Sequence, residues 1–269
     1  MQHEVAVAIA AAVAASAQTR RDFIRPSGIK TKGDKDLVTA TDEAVQGLLI
    51  EHLAAAFPAH RILGEEGSDA DPPWLLDTGF IWLLDPVCGT ESFAFGVPLF
   101  CTNIALLHDG EPVLAVVAEG LRDEIVWAVR GQGAFLRSSS GADSSLTGLH
   151  SDTIIVNYDA GVSAVGATSA FAAAVMHELL RRDRFTVRQL ATSATLPMQA
   201  RGVLAGNIFD FTCPWDSVAG AFICEQAGHR VTGLDGGAWR PYGSRIITGH
   251  SEAVHAALLE TVHVATAPD

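Results

Sequence analysis

Asp85-Pro86-Val87-Cys88-Gly89-Thr90 is the stretch of this sequence that decides the fold. It directly follows Phe80-Ile81-Trp82-Leu83-Leu84, a continuous apolar run that is typical of a fully buried strand. Asp85 is therefore expected at the end of a strand. The next residues predict a turn and then a short helix, whose free backbone N–H groups would face an anion. Taken alone, the stretch indicates only a strand, a turn and a helix.

Two further segments place acids at comparable points. Gly64-Glu65-Glu66 ends a short strand-like segment, and Trp215-Asp216-Ser217-Val218-Ala219-Gly220 begins a helix-like one. Each acid also has a purely structural interpretation, since Asp216 can cap its helix and Glu66 can be a surface charge. Asp42, which begins another helix-like segment, can likewise be only an N-cap. The three motifs together favour a shared metal site.

These segments resemble the three signatures of the inositol monophosphatase family, Gly-Glu-Glu, Asp-Pro-aliphatic-Asp-Gly-Thr and Trp-Asp-x-x-Ala-Gly. The resemblance covers essentially the whole chain. It implies a layered αβαβα sandwich of the α+β or α/β class, with the site at the junction of two halves. It also implies a phosphoric monoester hydrolase that needs Mg²⁺ and acts on a small substrate, such as an inositol phosphate or a sugar phosphate. Family members are commonly homodimers.

The resemblance assigns the metal ligands residue by residue. Glu65, Asp85 and the Val87 carbonyl oxygen would hold a first ion. Asp85, the residue at position 88 and Asp216 would hold a second, and Glu66 would lie near a third. Two ions about 4 Å apart can activate a water molecule and neutralise phosphoryl oxygens. Magnesium prefers such oxygen ligands.

The same resemblance assigns the remaining site residues. Asp42 and Thr90 would orient the attacking water, and with Glu65 they form the expected catalytic set. The residues expected to bind the substrate are Gly89 and Thr90 at the phosphate, and Ser193, Ala194 and Asp210 on the side of the alcohol.

Position 88 departs from the family, which has a second aspartate there. A thiolate is a soft ligand that prefers zinc, copper or iron to magnesium. One hypothesis is a phosphatase with an altered second site that accepts Mn²⁺ or Zn²⁺. A second is a family member without phosphatase turnover, which binds a phosphorylated ligand or acts differently on a phosphorylated sugar, nucleoside or cyclitol. A third is a phosphatase gated by oxidation of Cys88.

Composition limits the partners and the compartment. The chain has 269 residues, 48% hydrophobic residues and a formal net charge of −13, which indicates a globular protein and argues against binding to nucleic acid or to an anionic membrane surface. The four cysteines form no C-x-x-C pair, so we expect a reduced, cytoplasmic protein. The apolar run at 6–17 has no basic segment before it, so it predicts a first helix at 2–24 and not a signal peptide.

The order of predicted elements divides the chain in two. A Ser/Gly-rich stretch at 137–150 marks the boundary, so we expect parts at 1–145 and 146–269, the first with most metal ligands and the second with Asp216. The first part predicts strands at 61–64, 80–84, 102–107, 112–118, 124–129 and 131–135. The second alternates strands at 153–157, 185–187, 208–211 and 245–248 with helices at 168–182, 193–202, 214–227 and 251–262.

Overall fold

The computed structural model describes residues 1–33, 36–67, 78–148, 155–159, 168–210, 212–241 and 245–266. Its helices are α1 (Gln2–Phe23), α2 (Ala40–Ala56), α3 (Thr90–Ala94), α4 (Thr168–Arg182), α5 (Thr195–Ala200), α6 (Pro214–Gln226) and α7 (Glu252–Ala265). Its strands are β1 (Lys30–Gly33), β2 (Asp36–Val38), β3 (Arg61–Gly64), β4 (Phe80–Cys88), β5 (Cys101–His108), β6 (Glu111–Glu119), β7 (Ile125–Val129), β8 (Gly133–Arg137), β9 (Asp143–Ser145), β10 (Ile155–Asp159), β11 (Thr186–Arg188), β12 (Gly206–Phe209), β13 (Arg230–Thr232) and β14 (Ile246–Gly249).

Strands β3 to β9 form one seven-stranded sheet in chain order. The β3–β4 pair is parallel and the later pairs are antiparallel. Strand β4 is buried on both faces, with Ile81 and Leu83 in one apolar cluster and Trp82 and Leu84 in another. Because successive strand residues point to opposite faces, a strand covered on both sides needs the unbroken apolar run that the sequence has.

Helices α1 and α2 cover the outer face of this sheet. They pack against each other, and α2 also packs on β4 while α1 packs on β6. Ala8, Ala11, Ala12 and Ala15 are completely buried, because small side chains allow the helix to approach its neighbours closely. The apolar run at 6–17 therefore lies within α1, the predicted first helix, and part of it forms the buried face of that helix.

The second sheet has five strands in the order β11-β10-β12-β14-β13. Helices α4 and α7 pack together over an apolar cluster with this sheet. Helix α6 packs on the inner face of the larger sheet and on β13, with α5 beside it. The layers are thus helix, sheet, helix, sheet, helix. This arrangement confirms the predicted αβαβα sandwich.

Several element bounds differ from those predicted. The structure adds the β1–β2 hairpin, β9 and β13, three elements whose strands have three or four residues each. Strand β10 begins at Ile155, and residues 153 and 154 of the predicted strand lie outside the described residues. The first sheet ends with Ser145, while the proposed two-part division stays a prediction. Among the described residues, no helix combines the length and apolar character that a membrane span requires.

Candidate active site

Three predicted ligands meet where the two sheets face each other across α6. Asp85, near the end of β4, Cys88, at its end, and Asp216, in the first turn of α6, each offer a ligand atom, and these atoms lie within 4.8 Å of one another. Asp85 is fully buried and Cys88 is 8% exposed. The pairing of β4 with β5 shifts register between Asp85 and Cys88. This irregularity allows both side chains to turn toward α6.

Glu65 is brought to the same place by the parallel β3–β4 pair. It follows the last residue of β3, and its backbone N–H donates to the carbonyl oxygen of Leu84 at 3.0 Å. Burial raises the pKa of Asp85 well above its usual range, and its interactions with Cys88, Glu65 and Asp216 raise it further. The predicted convergence of Asp85 and Asp216 is therefore observed, with Glu65 close enough to affect Asp85.

The turn after Cys88 requires glycine. Gly89 has φ +92°, in the left-handed region, and a Cβ there would lie 2.9 Å from the Leu99 carbonyl oxygen. The same Cβ would lie 3.1 Å from Thr192 Oγ1. The glycine thus permits the segment around Thr192 to lie against the turn, and Thr192 Oγ1 donates to the Cys88 carbonyl oxygen at 3.2 Å.

The Cys88 thiol is held by the segment after β11. Ser193 approaches Cys88 Sγ with its backbone N–H at 3.3 Å and its hydroxyl at 2.9 Å. The pKa of Cys88 is raised well above its usual range, chiefly by its hydrogen bond with Cys101 and by burial, while the Ser193 contact opposes the increase. Ser193 thus lies against Cys88, and the next amide, Ala194 N–H, donates to Thr192 Oγ1 at 3.2 Å.

Asp216 has a structural role as well as its place in the cluster. Pro214 begins α6, and Asp216 lies two residues later, where its Oδ2 accepts the backbone N–H of Cys213 at 2.8 Å. An acid in the first helical turn is stabilised by this hydrogen bond and by the helix dipole. The capping interpretation of Asp216 and its interpretation as a ligand are therefore compatible, because one carboxylate oxygen can serve each.

Asp42 and Thr90 form a second group beside the ligand cluster. Thr39, not Asp42, is the N-cap of α2, and Asp42 completes the capping box by accepting the Thr39 N–H at 2.9 Å. Asp42 Oδ1 lies 3.1 Å from Thr90 Oγ1, which also lies 2.9 Å from the Val87 carbonyl oxygen. Burial raises the pKa of Asp42, and hydrogen bonds from Thr39 and Thr90 oppose this increase.

Two other predicted residues have separate partners. Asp210, directly after β12, is fully buried, and Arg245 Nε lies 3.1 Å from its Oδ1 and donates to its carbonyl oxygen at 2.9 Å. Burial raises the pKa of Asp210, and Arg245 opposes that shift. The backbone N–H of Glu66 donates to Gln46 Oε1, and the carbonyl oxygen of Glu66 accepts from Gln46 Nε2, both at 2.8 Å.

Asn103 is a site residue that the sequence motifs missed. It lies on β5 directly opposite Asp85, is 1% exposed, and its Nδ2 lies 3.2 Å from Asp85 Oδ2. A polar side chain directly before the apolar run at 104–107 was the available signal. The contact of Asn103 with Asp85 depends on the register in which β5 pairs with β4, and the motif at 85–90 does not specify that register.

The donor set fits a divalent cation. Among the described residues, Asp85 Oδ1 is buried without a hydrogen-bond partner, and the ligand atoms of Asp85, Cys88 and Asp216 converge within 4.8 Å. Buried like charges repel each other, and a bound cation would reverse this penalty. Carboxylates and a backbone carbonyl suit a hard ion, whereas the thiol suits a softer one.

Comparisons with known proteins agree with the fold. A profile described as the inositol monophosphatase family matches residues 1–267. Inositol monophosphatase 2 of Solanum lycopersicum is 34% identical over 241 residues, which are 86% of this chain and 87% of that protein. The solved Thermotoga maritima IMPase has a TM-score of 0.82 over 98% of each chain, at 22% identity. A solved IMPase/NADP phosphatase complexed with Mg²⁺ and phosphate has a TM-score of 0.74, at 24% identity, over 91% of this chain and 89% of that chain.

Proposed function

Because the chain belongs to the inositol monophosphatase family, we propose that it hydrolyses a small phosphate monoester with the help of divalent cations. Membership confirms the predicted family and its enzyme class, the phosphoric monoester hydrolases. The observation that carries the proposal is the convergence of Asp85, Cys88 and Asp216 within 4.8 Å, with Glu65 beside them. The Mg²⁺ in the solved complex of a relative supports the choice of metal.

The proposed ion sites differ in their ligands. Glu65, Asp85 and the Val87 carbonyl oxygen would hold Mg²⁺ with oxygen atoms alone. Asp85, Cys88 and Asp216 would hold the second ion, and the sulfur makes Mn²⁺ or Zn²⁺ the better occupant. Bound ions of this kind activate a water molecule and neutralise charge on the phosphoryl oxygens. Glu66 would lie near a third ion.

Thr90 and Asp42 would orient the attacking water. Asp42 Oδ2 is already engaged by Thr39, so Oδ1 is the oxygen that faces the Thr90 hydroxyl. When that hydroxyl donates to Asp42, the lone pairs of Thr90 Oγ1 are left to accept a hydrogen bond from a water molecule. Such an arrangement holds the water in one orientation and polarises it.

The substrate side follows from the same resemblance. Gly89 and Thr90 would donate backbone N–H groups to the phosphate, and Ser193 and Ala194 would contact the alcohol. Asp210, held by Arg245, would accept hydrogen bonds from substrate hydroxyl groups. These groups suit an inositol phosphate or a sugar phosphate. A homodimer in the cytoplasm completes the proposal, and light scattering of the purified protein tests the oligomeric state.

Replacement of Cys88 by aspartate tests the proposal most directly. Cys88→Asp supplies an anionic oxygen ligand that Ser193 N–H and Oγ–H can still support. We expect Mg²⁺-dependent hydrolysis of p-nitrophenyl phosphate and inositol phosphate to rise at least ~10-fold, which corresponds to about 1.4 kcal/mol. Cys88→Ser, which adds an oxygen without a charge, is the matched control and should stay near the wild-type rate.

Two outcomes would contradict the proposal. If neither protein hydrolyses any monoester with Mg²⁺, Mn²⁺ or Zn²⁺ while a phosphorylated ligand still binds, the family member without turnover is the better description. If the wild type is already fast with Mg²⁺ and Cys88→Asp is slower, the thiol belongs to the substrate site and not to an altered ion site.

A further inference from the structure

We propose that Asn103 is a positioning residue for the metal site, which orients Asp85 directly and Cys88 through Ser193. The inference rests on the proposed function, because it concerns the ion that these ligands are proposed to hold. Asn103 lies behind the ligands, on the neighbouring strand, and no sequence motif includes it.

The amide of Asn103 joins both sides of the site. Its Nδ2 lies 3.2 Å from Asp85 Oδ2, 2.8 Å from Ser193 Oγ and 3.2 Å from the Asp216 carbonyl oxygen. All of these contacts are buried or nearly so. One side chain of the large sheet therefore touches two proposed ligand residues and the segment that holds the third.

The surroundings decide which way the amide points. A carboxylate and a backbone carbonyl only accept hydrogen bonds, so the NH₂ end must face Asp85 and Asp216. The other end, Oδ1, faces Cys101, whose thiol lies at 3.5 Å and can donate to it. A flipped amide would place an oxygen against the Asp85 carboxylate. The native orientation is thus strongly preferred.

This orientation leaves Asp85 with one oxygen for a cation. Oδ2 accepts from Asn103, whereas Oδ1 is buried and makes no hydrogen bond with any residue that the structure describes. A carboxylate held at one oxygen cannot rotate freely about its Cβ–Cγ bond. Fixing a ligand in this way lowers the entropy lost when the ion binds.

The same amide also sets the direction of the hydrogen bond to Cys88. Ser193 Oγ accepts from Asn103 at 2.8 Å, so its own hydrogen is available for Cys88 Sγ at 2.9 Å. The chain of donors therefore runs from Cys101 through Asn103 and Ser193 to Cys88. A sulfur that accepts this hydrogen bond is held in place for a cation.

Asn207 provides a matched control, because it is also a completely buried asparagine on a strand. Its Nδ2 donates to Gln199 Oε1 at 2.7 Å and also contacts Thr195 and Thr248, none of which is a proposed ligand. Truncation of either asparagine removes buried hydrogen bonds and should destabilise the fold. Only truncation of Asn103 should alter the binding of an ion.

The test measures Mn²⁺ affinity of the whole protein by electron paramagnetic resonance, which counts free Mn²⁺, together with thermal unfolding in EDTA. Asn103→Ala should weaken Mn²⁺ binding by about 10- to 100-fold, the usual effect of losing a partner that supports a ligand. Asn207→Ala should lower the unfolding temperature but keep the wild-type affinity. Asn103→Leu preserves the side-chain volume and serves if the alanine variant does not fold.

The outcomes separate the two proposals. Folded Asn103→Ala or Asn103→Leu with wild-type Mn²⁺ affinity would overturn the role of Asn103 while the metal site stands. An equal loss of Mn²⁺ affinity in Asn207→Ala would also overturn the role of Asn103, since the loss would then reflect general destabilisation of the fold. A wild-type protein that binds no Mn²⁺ would instead overturn the proposed metal site itself.

Discussion

Asp85 lies completely buried near a thiol and two other acids, and within the described part of the chain only one of its oxygens has a hydrogen bond. A charged carboxylate in such surroundings loses its hydration and gains repulsion from its neighbours, which is why its pKa is raised. Without a cation, this group destabilises the folded protein at neutral pH. The same group should contribute most of the gain when a cation binds.

Asp85→Asn should therefore separate stability from metal binding. In EDTA at neutral pH, we expect the variant to be more stable than the wild type by about 1 kcal/mol or more, roughly 2–4 °C in unfolding temperature for a protein of this size. Added Mg²⁺ or Mn²⁺ should raise the unfolding temperature of the wild type and leave that of the variant unchanged. Differential scanning calorimetry measures both effects.

Glu51→Gln is the control for this comparison, since Glu51 is an exposed acid of α2. It should unfold like the wild type, with and without metal. An Asp85→Asn variant that is less stable than the wild type in EDTA would show that the carboxylate is stabilised by contacts other than a cation.

The sequence motifs predicted which acids lie at the ends of elements, but they contained no signal for Asn103, which contacts Asp85 from the neighbouring strand. Glu65, Asp85 and Asp216 follow directly from segments that end strands or begin a helix, so their convergence was predictable. Asn103 reaches Asp85 only because β5 pairs with β4 in one particular register. That register depends on tertiary packing and on the irregularity between Asp85 and Cys88, neither of which a short motif records.

Helix α6 reaches its position through a close contact with α5. A Cβ added to Gly220 would lie 2.5 Å from the Cβ of Leu196, which is completely buried. The glycine of the Trp-Asp-x-x-Ala-Gly segment therefore allows the two helices to touch. Since Asp216 lies one turn earlier on α6, this contact also helps to place a proposed ligand.

Gly220→Ala should consequently destabilise the protein by about 1–3 kcal/mol, the usual cost of adding a methyl group to a packed interior. Gly47→Ala is the matched control within an exposed part of α2, where an added Cβ meets nothing within 4 Å. That variant should be more stable by about 0.4–1 kcal/mol. Urea unfolding measures both, and equal effects of the two changes would contradict the packing argument.

Most elements were predictable, and the strands that the sequence patterns missed are all short. The apolar run before Asp85 and the alanine-rich first segment both gave the observed strand and helix. Strands β9 and β13 have three residues each, too few for a period-two pattern to stand out. Strand β9 pairs with the edge of β8, and β13 pairs with the edge of β14. These edges exist only in the assembled sheets, so the local sequence does not reveal them.

The proposed ion sites draw on different parts of the chain. All ligands of the first, Glu65, Asp85 and the Val87 carbonyl oxygen, belong to β3, β4 and the residue that follows β3. The second also needs Asp216 from α6, which lies between the two sheets. The first site can form within the larger sheet, whereas the second requires the sheets and α6 to be correctly assembled.

Titration of the wild type with Mg²⁺ should therefore show one ordinary site and a second that is weak, and Mn²⁺ or Zn²⁺ should fill the second more tightly. Asp216→Asn should abolish the second site and spare the first. An asparagine keeps an oxygen that can accept the Cys213 N–H, so the cap of α6 survives. Isothermal titration calorimetry of both proteins tests this expectation. Two equally strong Mg²⁺ sites in the wild type would show that Cys88 does not weaken the second site, and loss of both in Asp216→Asn would show that the sites are not separable.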